Sequence, residues 1–265
     1  MHSNIPSEHT RDRPCPATID PMSSTFLTAS WRKLIMAQYA IDPAILTPYL
    51  PPGLELDLYQ NKCYVSLVGF LFDRVRIKGL AIPFHTSFEE INLRFYVTRT
   101  ERDGTRKRGV VFLREFVPRI AITLLASSLY EEPYTTLHTR HTIAATPEAL
   151  HVSYSWRHTA AGRKTWHSLA VETDPTPQPT APNSEEEFLT EHYFGYTKRT
   201  HGNTSEYGVL HPRWSIYPIR SFTIQADFAA LYGPAFAALT HTIPASVLLA
   251  EGSDVSVLTG TRLPD

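Results

Sequence analysis

Apolar and polar residues alternate from Glu90 to Val97 within FEEINLRFYVTR, residues 88–99. Because successive side chains of a β-strand point to opposite faces, this alternation predicts a strand with two different faces. One face is apolar and consists of Ile91, Leu93, Phe95 and Val97. The other carries an acid, an amide, an arginine and a phenol, namely Glu90, Asn92, Arg94 and Tyr96. The environment of this second face is the first question that the sequence raises.

Similar patterns elsewhere predict a chain in which strands outnumber helices. Strands are predicted at 64–73, at 110–116 as the hairpin partner of 88–99, in a hairpin of 151–158 with 165–172, at 214–224, and as a closing pair within 246–260. Pro218 favours an edge or a bend in the segment 214–224. Helices are predicted after the Asp42-Pro43 cap, at 121–130, and at 226–239 with a break at Gly233-Pro234.

This order of elements predicts a β-rich α+β fold built on a curved sheet or barrel with a few short helices. We expect a disordered N-terminal arm over 1–24, because the segment is polar and rich in Pro and Ser, followed by a single domain over 25–265. The Pro-rich stretch 173–187 is expected to be a loop. At its end Ser184 and Glu187 form a capping-box pattern that predicts a helix start.

Composition narrows the class of protein. The chain has 265 residues, 42% of them hydrophobic, and a formal net charge of -1. That balance gives no electrostatic case for nucleic acid or an anionic membrane as partner. No apolar run approaches the roughly 18 residues that span a bilayer, and no secretion signal is evident, so a cytoplasmic protein is expected. The sequence lacks a GxSxG elbow, a Gly-rich phosphate loop and a paired CxxC, which leaves serine hydrolase, nucleotide-binding and zinc-ribbon functions unsupported.

The polar face of 88–99 has two interpretations. An antiparallel sheet with one face in water shows this alternation as a matter of course. Alternatively, the polar side chains line an internal cavity, where binding sites place a few polar groups among apolar walls. The mixture of side chains favours the cavity mildly, since a solvated face more often carries Lys, Thr and Ser.

A second unusual feature is LREFVPR, residues 113–119, where charges follow directly on an apolar strand. Arg114 and neighbouring charges are explained equally well by an ion pair at a strand end. Glu115, however, is predicted to share the face of Val111, Leu113 and Val117, and thus to be desolvated. Burial raises the pKa of a carboxyl group, which makes Glu115 a candidate acid or base.

Two histidine-containing clusters carry weaker signals. His138 and His141 have a two-residue gap, but nothing nearby supplies the third and fourth ligands that zinc needs, so no metal is expected. Glu191 and His192 follow the Pro-rich loop. They are interpreted either as part of a lid or rim over a site or as hydrogen-bonded loop residues.

Several segments resemble known proteins. WRKLIMAQYAIDPAILTPYLPPGLELD (31–57), the strand 88–97 and LREFVPR are similar to segments of acetoacetate decarboxylases over about half of the chain. More specifically, roughly 25–260, including EHYFGYT, EYGVLHPRW and SVLLAEGSDVSV, resembles the YqjF-like family, a bacterial domain of unknown function (DUF2071) within the acetoacetate decarboxylase-like superfamily. The resemblance implies a cone-shaped, partly closed β-barrel around a small buried cavity.

Residue by residue, the resemblance implies that Arg32, Glu90 and Glu115 match active-site positions of the decarboxylases. Those enzymes use a lysine that forms a Schiff base with a β-keto acid. The corresponding position here is Arg119, which stays protonated and forms no such imine. A further acidic position is replaced near Val65-Ser66, and none of the six lysines lies in a matching segment. Classical decarboxylation is therefore disfavoured.

The leading hypothesis is a small-molecule-binding protein, with or without enzymatic activity, whose ligand carries a carboxylate or oxo group. Arg32, Arg94 and Arg119 are expected to hold the anion, Asn92 and Tyr96 to contact the ligand, and Glu90 and Glu115 to act as acid or base. No cofactor is expected, and a homo-oligomer is left open. The alternative is a non-catalytic sensor or structural module. A pocket of several hundred Å³ favours the first hypothesis, and a packed interior favours the second.

Overall fold

The computed structural model describes residues 24–81, 86–118, 133–160, 162–199 and 202–263. Three predictions fall outside these ranges: the arm 1–24 except for its last residue, the helix 121–130, and the placement of Arg119.

Seventeen strands are present in the described residues. In chain order they are β1 (Thr25–Ala40), β2 (Glu55–Leu56), β3 (Tyr64–Ile77), β4 (Leu80–Ala81), β5 (Phe88–Thr100), β6 (Arg106–Val117), β7 (Tyr134–Thr136), β8 (His138–Ala145), β9 (Leu150–Ala160), β10 (Arg163–Thr173), β11 (Gln178–Pro179), β12 (Phe194–Lys198), β13 (Thr204–Leu210), β14 (Ser215–Tyr217), β15 (Ile219–Gln225), β16 (Ser246–Leu258) and β17 (Thr261–Arg262). The helices are α1 (Pro43–Leu46), α2 (Glu185–Thr190) and α3 (Phe228–Tyr232), with 3₁₀ turns at Thr47–Tyr49 and Pro234–His241. The predicted strand-rich α+β class is confirmed.

Seven of the strands close into a ring. Their order is β16–β1–β3–β5–β6–β12–β13, and β13 pairs back onto β16 through Val209↔Val257 and Leu210↔Ser256. Every neighbouring pair is antiparallel except β6 and β12, which run parallel. A closed ring has an inner face that is shielded from solvent, so polar residues on that face must find partners or a ligand.

A smaller sheet of four strands, in the order β15–β10–β9–β8, packs on the other face of the ring. The apolar face of β5 contributes Ile91, Leu93, Phe95 and Val97 to this interlayer core, beside Tyr154 and Trp156 of β9. The predicted apolar side is therefore confirmed. Since the polar side of β5 is buried as well, the strand is covered on both faces, and the interpretation of a solvated polar face is wrong.

An irregularity in β6 determines which of its side chains face the interior. Leu93 pairs with Arg114 but Arg94 pairs with Phe112, so Leu113 is an extra residue in a β-bulge. Because an extra residue shifts the alternation by one, Glu115 lies on the same face as Val110 and Phe112, not on that of Val111 as predicted. Arg114 points to the opposite side, where its guanidinium donates to the carbonyl of Leu231 at 2.7 Å.

Local sequence signals explain most of the remaining elements. Asp42 caps α1 by accepting from the Ala44 N–H, and Ser184 caps α2 by accepting from that of Glu187, as predicted. Pro218 bends the chain as it passes from β14 in the larger sheet to β15 in the smaller one. One prediction is wrong: 246–260 is not a strand pair. Its main element is the continuous strand β16, in which Gly252 adopts φ 80°.

Candidate functional site

The ring encloses a cavity of about 110 Å³. All seven ring strands contribute to its wall, which is largely aromatic and aliphatic; the side chains include Phe26, Leu34, Phe70, Phe72, Val110, Phe112, Phe194 and Val257. The cavity is smaller than the several hundred Å³ expected, yet the interior is not packed solid. Since a cavity of roughly 10–15 Å³ is needed to hold one water molecule, this cavity fits a molecule of a few heavy atoms.

The polar groups of the wall are concentrated on β5, β6 and the segment before β12. They are Glu90, Asn92, Arg94, Glu115 and His192, together with Tyr134 of β7. Four of these, Glu90, Asn92, Arg94 and Glu115, are predicted site residues, so the structure brings them together. Alternation in β5 places the first three, and the bulge at Leu113 places the fourth beside them.

Two carboxyl groups form the centre of this polar set. Glu90 and Glu115 are 3% and 1% exposed, and their side chains are hydrogen-bonded to each other. Burial raises the pKa of Glu90 far above its ordinary value, although hydrogen bonds from its neighbours and the charge of Arg94 oppose the shift. Two carboxyls can share a hydrogen bond only when one of them is protonated. The pair therefore holds one proton in the cavity.

Asn92 fixes the orientation of Glu90. Its Nδ2 donates to Oε1 of Glu90 at 2.9 Å, and the hydroxyl of Tyr134 donates to Oε2 at 3.4 Å. The amide is 1% exposed, and its Oδ1 has no partner among the described residues. A buried acceptor of this kind is costly unless a ligand or water donates to it.

Arg94 places a cation beside the carboxyl pair. Arg94 is 9% exposed, and its Nη2 contacts the sulfur of Met36 at 3.9 Å. Its Nε has no partner among the described residues. In the described ranges it forms no ion pair with an acidic side chain, although its charge acts to lower the pKa of Glu90. An arginine keeps its charge even when buried, which makes this guanidinium a ready anion-binding group.

His192 adds a residue that sequence reasoning did not assign to the cavity wall. Its Nε2 lies 3.2 Å from Oδ2 of Asp57, and the same oxygen accepts from Nε of Arg108 at 2.7 Å. Burial lowers the pKa of His192 to about 4. The two partners lie far apart in the sequence: His192 belongs to the Glu191-His192 cluster, and Asp57 ends the segment LELD. Only the fold shows that they meet.

Two predicted site residues, Arg32 and Tyr96, are not among the residues that line the cavity. Arg32 lies outside the cavity wall and pairs with Asp254 at 3.1 Å on a solvent-exposed part of the ring. Tyr96 is buried beside the cavity, with its hydroxyl 2.6 Å from Oγ of Ser66, which in turn donates to Gln38. Arg119 is outside the described residues. The roles predicted for these three stay predictions.

The described residues contain neither a cluster of metal ligands nor a cavity lysine that could form a Schiff base. His141 is engaged by Glu89 at 2.6 Å, and no group of three potential His, Cys, Asp or Glu metal ligands occurs in the part of the chain that the structure covers. Among those same residues no lysine lines the ring cavity. Lys33, the lysine of β1, is hydrogen-bonded to Glu251 and Tyr217 instead.

Comparison with known proteins relates this architecture to a family. The model of the DUF2071 family, described as an uncharacterized conserved protein, matches residues 28–254. The chain belongs to the DUF2071 family. The uncharacterized protein YqjF of Bacillus subtilis (strain 168) is 34% identical to this DUF2071 protein over 76 residues, 28% of the present chain and 31% of YqjF. The match thus spans about a third of that relative's length.

Solved structures with the same fold come from the acetoacetate decarboxylase-like proteins. Acetoacetate decarboxylase from Legionella pneumophila has a TM-score of 0.59 at 13% identity, with 96% of this chain and 94% of the enzyme covered. The enduracididine biosynthesis enzyme MppR complexed with pyruvate has a TM-score of 0.59 at 15% identity, with 94% and 95% covered. These identities establish the fold alone. No helix in the described ranges has the length and apolar character that a membrane crossing requires.

Proposed function

We propose that this DUF2071 protein binds a small carboxylate or oxo compound in the ring cavity. The observation that carries the proposal is Arg94, a buried guanidinium without an acidic partner among the described residues, beside the proton-sharing Glu90–Glu115 pair. A buried guanidinium without an ion-paired carboxylate is unfavourable, so a ligand that supplies a carboxylate binds with a large advantage. A carboxylate matches the planar fork of the guanidinium.

The remaining polar groups suggest what the site does with such a ligand. The Glu90–Glu115 pair holds one proton, and a carboxyl group with a raised pKa can donate or accept a proton near neutral pH. Asn92 offers an acceptor to the ligand through its free Oδ1. We therefore propose acid–base chemistry of the lyase, isomerase or hydrolase type on the bound compound, with no lysine imine. Arg119 stays a proposed further contact to the anion.

The choice of pyruvate as probe follows from size and from a structural relative. The cavity of about 110 Å³ suits a ligand of a few heavy atoms. A protein of the same fold, MppR, has been solved in complex with pyruvate. Pyruvate combines a carboxylate for Arg94 with an oxo group and an enolisable methyl group that a base can deprotonate.

Binding is tested by titration calorimetry with pyruvate. R94Q removes the cation from the cavity, and R32Q makes the same chemical change on the exposed part of the ring. Since a hydrogen bond to a charged group contributes about 1.5–3 kcal/mol, R94Q is expected to weaken binding roughly ten- to hundredfold, whereas R32Q binds as the wild type does. Equal binding by R94Q and the wild type would refute the assignment.

Proton transfer is tested by incubating pyruvate with the protein in D₂O and following the methyl proton signal by NMR. The wild type is expected to exchange the methyl protons faster than buffer, and E90Q is expected to lose that acceleration while still binding pyruvate. Binding without any exchange by the wild type would identify the non-catalytic sensor, the alternative that the sequence leaves open.

A further inference from the structure

His192 is held in one orientation by a partly buried ion pair. Asp57 accepts hydrogen bonds from both Arg108 and His192 on a single oxygen, Oδ2. Burial alone would raise the pKa of Asp57, but the hydrogen bonds from His192 and Arg108 leave it below its ordinary value. Asp57 is thus an anion that only accepts hydrogen bonds.

The charge of Asp57 decides where the imidazole proton lies. Because the carboxylate can only accept, Nε2 of His192 must carry the hydrogen. The ring is neutral at pH 7, since burial and the nearby Arg108 and Arg94 cations lower its pKa, an effect that the contact with Asp57 only partly opposes. Nδ1 of a neutral ring protonated on Nε2 is a hydrogen-bond acceptor.

Within the described part of the chain, no group donates to that acceptor. Nδ1 of His192 has no partner among the described residues, and the side chain is 1% exposed. His192 also lies on the cavity wall next to the proposed anion site. Its ring centroid is 4.7 Å from that of Tyr96, and Cζ of Arg94 is 5.8 Å from the same Tyr96 ring.

We infer that Nδ1 of His192 receives a hydrogen bond from the ligand, and that the cavity therefore selects a short hydroxy acid over the corresponding oxo acid. The inference rests on the proposed function, in which Arg94 holds the carboxylate. A hydroxyl group on the bound molecule donates to Nδ1, while an oxo group has no hydrogen to offer and faces an acceptor. His192 thereby acts as a specificity-determining residue held in place by Asp57.

The comparison that tests this inference uses pyruvate and the two enantiomers of lactate, which differ from pyruvate by the hydroxyl group. One lactate enantiomer is expected to bind the wild type roughly tenfold more tightly than pyruvate, because a buried acceptor left without a donor is unfavourable. If neither pyruvate nor lactate binds, the proposed function and this inference both fall. If both bind equally, this inference alone is overturned.

A matched substitution separates recognition from structure. In H192F an aromatic ring of similar size keeps the packing against Tyr96 and carries no acceptor, while Asp57 keeps its hydrogen bond from Arg108. The roughly tenfold advantage of lactate over pyruvate is expected to disappear in H192F, whatever common change the substitution makes to the two affinities. A parallel loss of both affinities would mean that His192 only supports the structure, which contradicts the inference.

A measurement on the unmodified protein covers the case in which H192F fails to fold. The ¹⁵N resonances of His192 report which ring nitrogen carries the hydrogen. We expect the Nε2-protonated form without ligand, and a shift of the Nδ1 resonance on addition of lactate that pyruvate does not reproduce. An Nδ1-protonated ring, or identical shifts with the two ligands, overturns the inference.

Discussion

The carboxyl groups of Glu90 and Glu115 are hydrogen-bonded to each other across the neighbouring strands β5 and β6. The contact depends on the bulge at Leu113, which turns Glu115 into the ring and sets it opposite Asn92. Strict alternation in one strand and a one-residue irregularity in the next thus bring two acids together away from water. Such a pair cannot lose both protons without strong repulsion, so its ionisation must appear in the pH dependence of the protein.

The free energy of unfolding is predicted to fall as pH rises from about 4.5 to about 7. The ordinary pKa of 4.5 applies to Glu90 in the unfolded chain, and burial raises its pKa to about 7 in the fold. Between these values the folded state holds a proton that the unfolded state has released, so stability declines with pH. Below pH 4.5 and above pH 7, Glu90 does not make the free energy of unfolding change with pH. The total decline attributable to Glu90 is on the order of 3 kcal/mol, measured by urea unfolding across the range.

E90Q is expected to flatten this decline, because a neutral amide keeps no proton to lose. The matched control is E89Q, one residue away on the opposite face of β5. Burial alone would raise the pKa of Glu89, but hydrogen bonds from His141 and Thr139 lower it, so this group stabilises the fold above its ordinary pKa. E89Q should therefore weaken the fold at neutral pH and leave the decline between 4.5 and 7 in place. An unchanged slope in E90Q would contradict the role of the pair.

Arg94→Met is predicted to stabilise the ligand-free protein while abolishing pyruvate binding. The guanidinium is buried, carries an unpartnered Nε and already contacts the sulfur of Met36, so an apolar side chain of similar length suits its surroundings. Burying a charge without an ion-pair partner is unfavourable, so its replacement by an apolar side chain is expected to stabilise the fold by on the order of 1 kcal/mol. Urea unfolding measures the change, and R32M, which removes an exposed partner of Asp254, should alter stability by less than about 1 kcal/mol. A destabilised R94M would indicate that Arg94 has a structural anion instead.

Much of the architecture could be predicted from local signals. The alternation of β5, the caps at Asp42 and Ser184 and the bend at Pro218 each act over a few residues, and the structure reproduces them. Glycine was less informative. The segment 246–260 is predicted as a strand pair, whereas Gly252 adopts φ 80° inside one long strand, opposite Arg32.

The site was predictable only in part, for a physical reason. Residues spaced by two on β5 must share a face, so Glu90, Asn92 and Arg94 were grouped correctly. The orientation of Glu115 depends on a bulge that the local sequence pattern does not predict. Asp57 contacts His192 only in the folded ring. Arg32, which the resemblance to decarboxylases assigned to the site, pairs with Asp254 outside the cavity wall, and its role stays a prediction.

Gly195→Ala is predicted to destabilise the ring by about 1–3 kcal/mol through overpacking. An added Cβ would overlap the ring of Tyr207, which packs directly against the backbone of β12 where it lines the cavity. Chemical denaturation of the single variants and of G195A/Y207A isolates the clash. The substitution should be less destabilising in the Y207A background than in the wild type. Equal effects in both backgrounds would show that the loss arises elsewhere.

Borohydride is predicted to trap no adduct when the protein is incubated with pyruvate or acetoacetate. An imine requires a lysine amine beside the bound oxo group, and no lysine among the described residues lines the cavity. The lysine of β1, Lys33, is tied to Glu251 and Tyr217 through its Nζ. Intact-protein mass spectrometry after reduction checks the outcome, with an authentic acetoacetate decarboxylase as the positive control. A stoichiometric adduct that maps to one lysine would restore decarboxylation through a distant amine and displace the acid–base proposal.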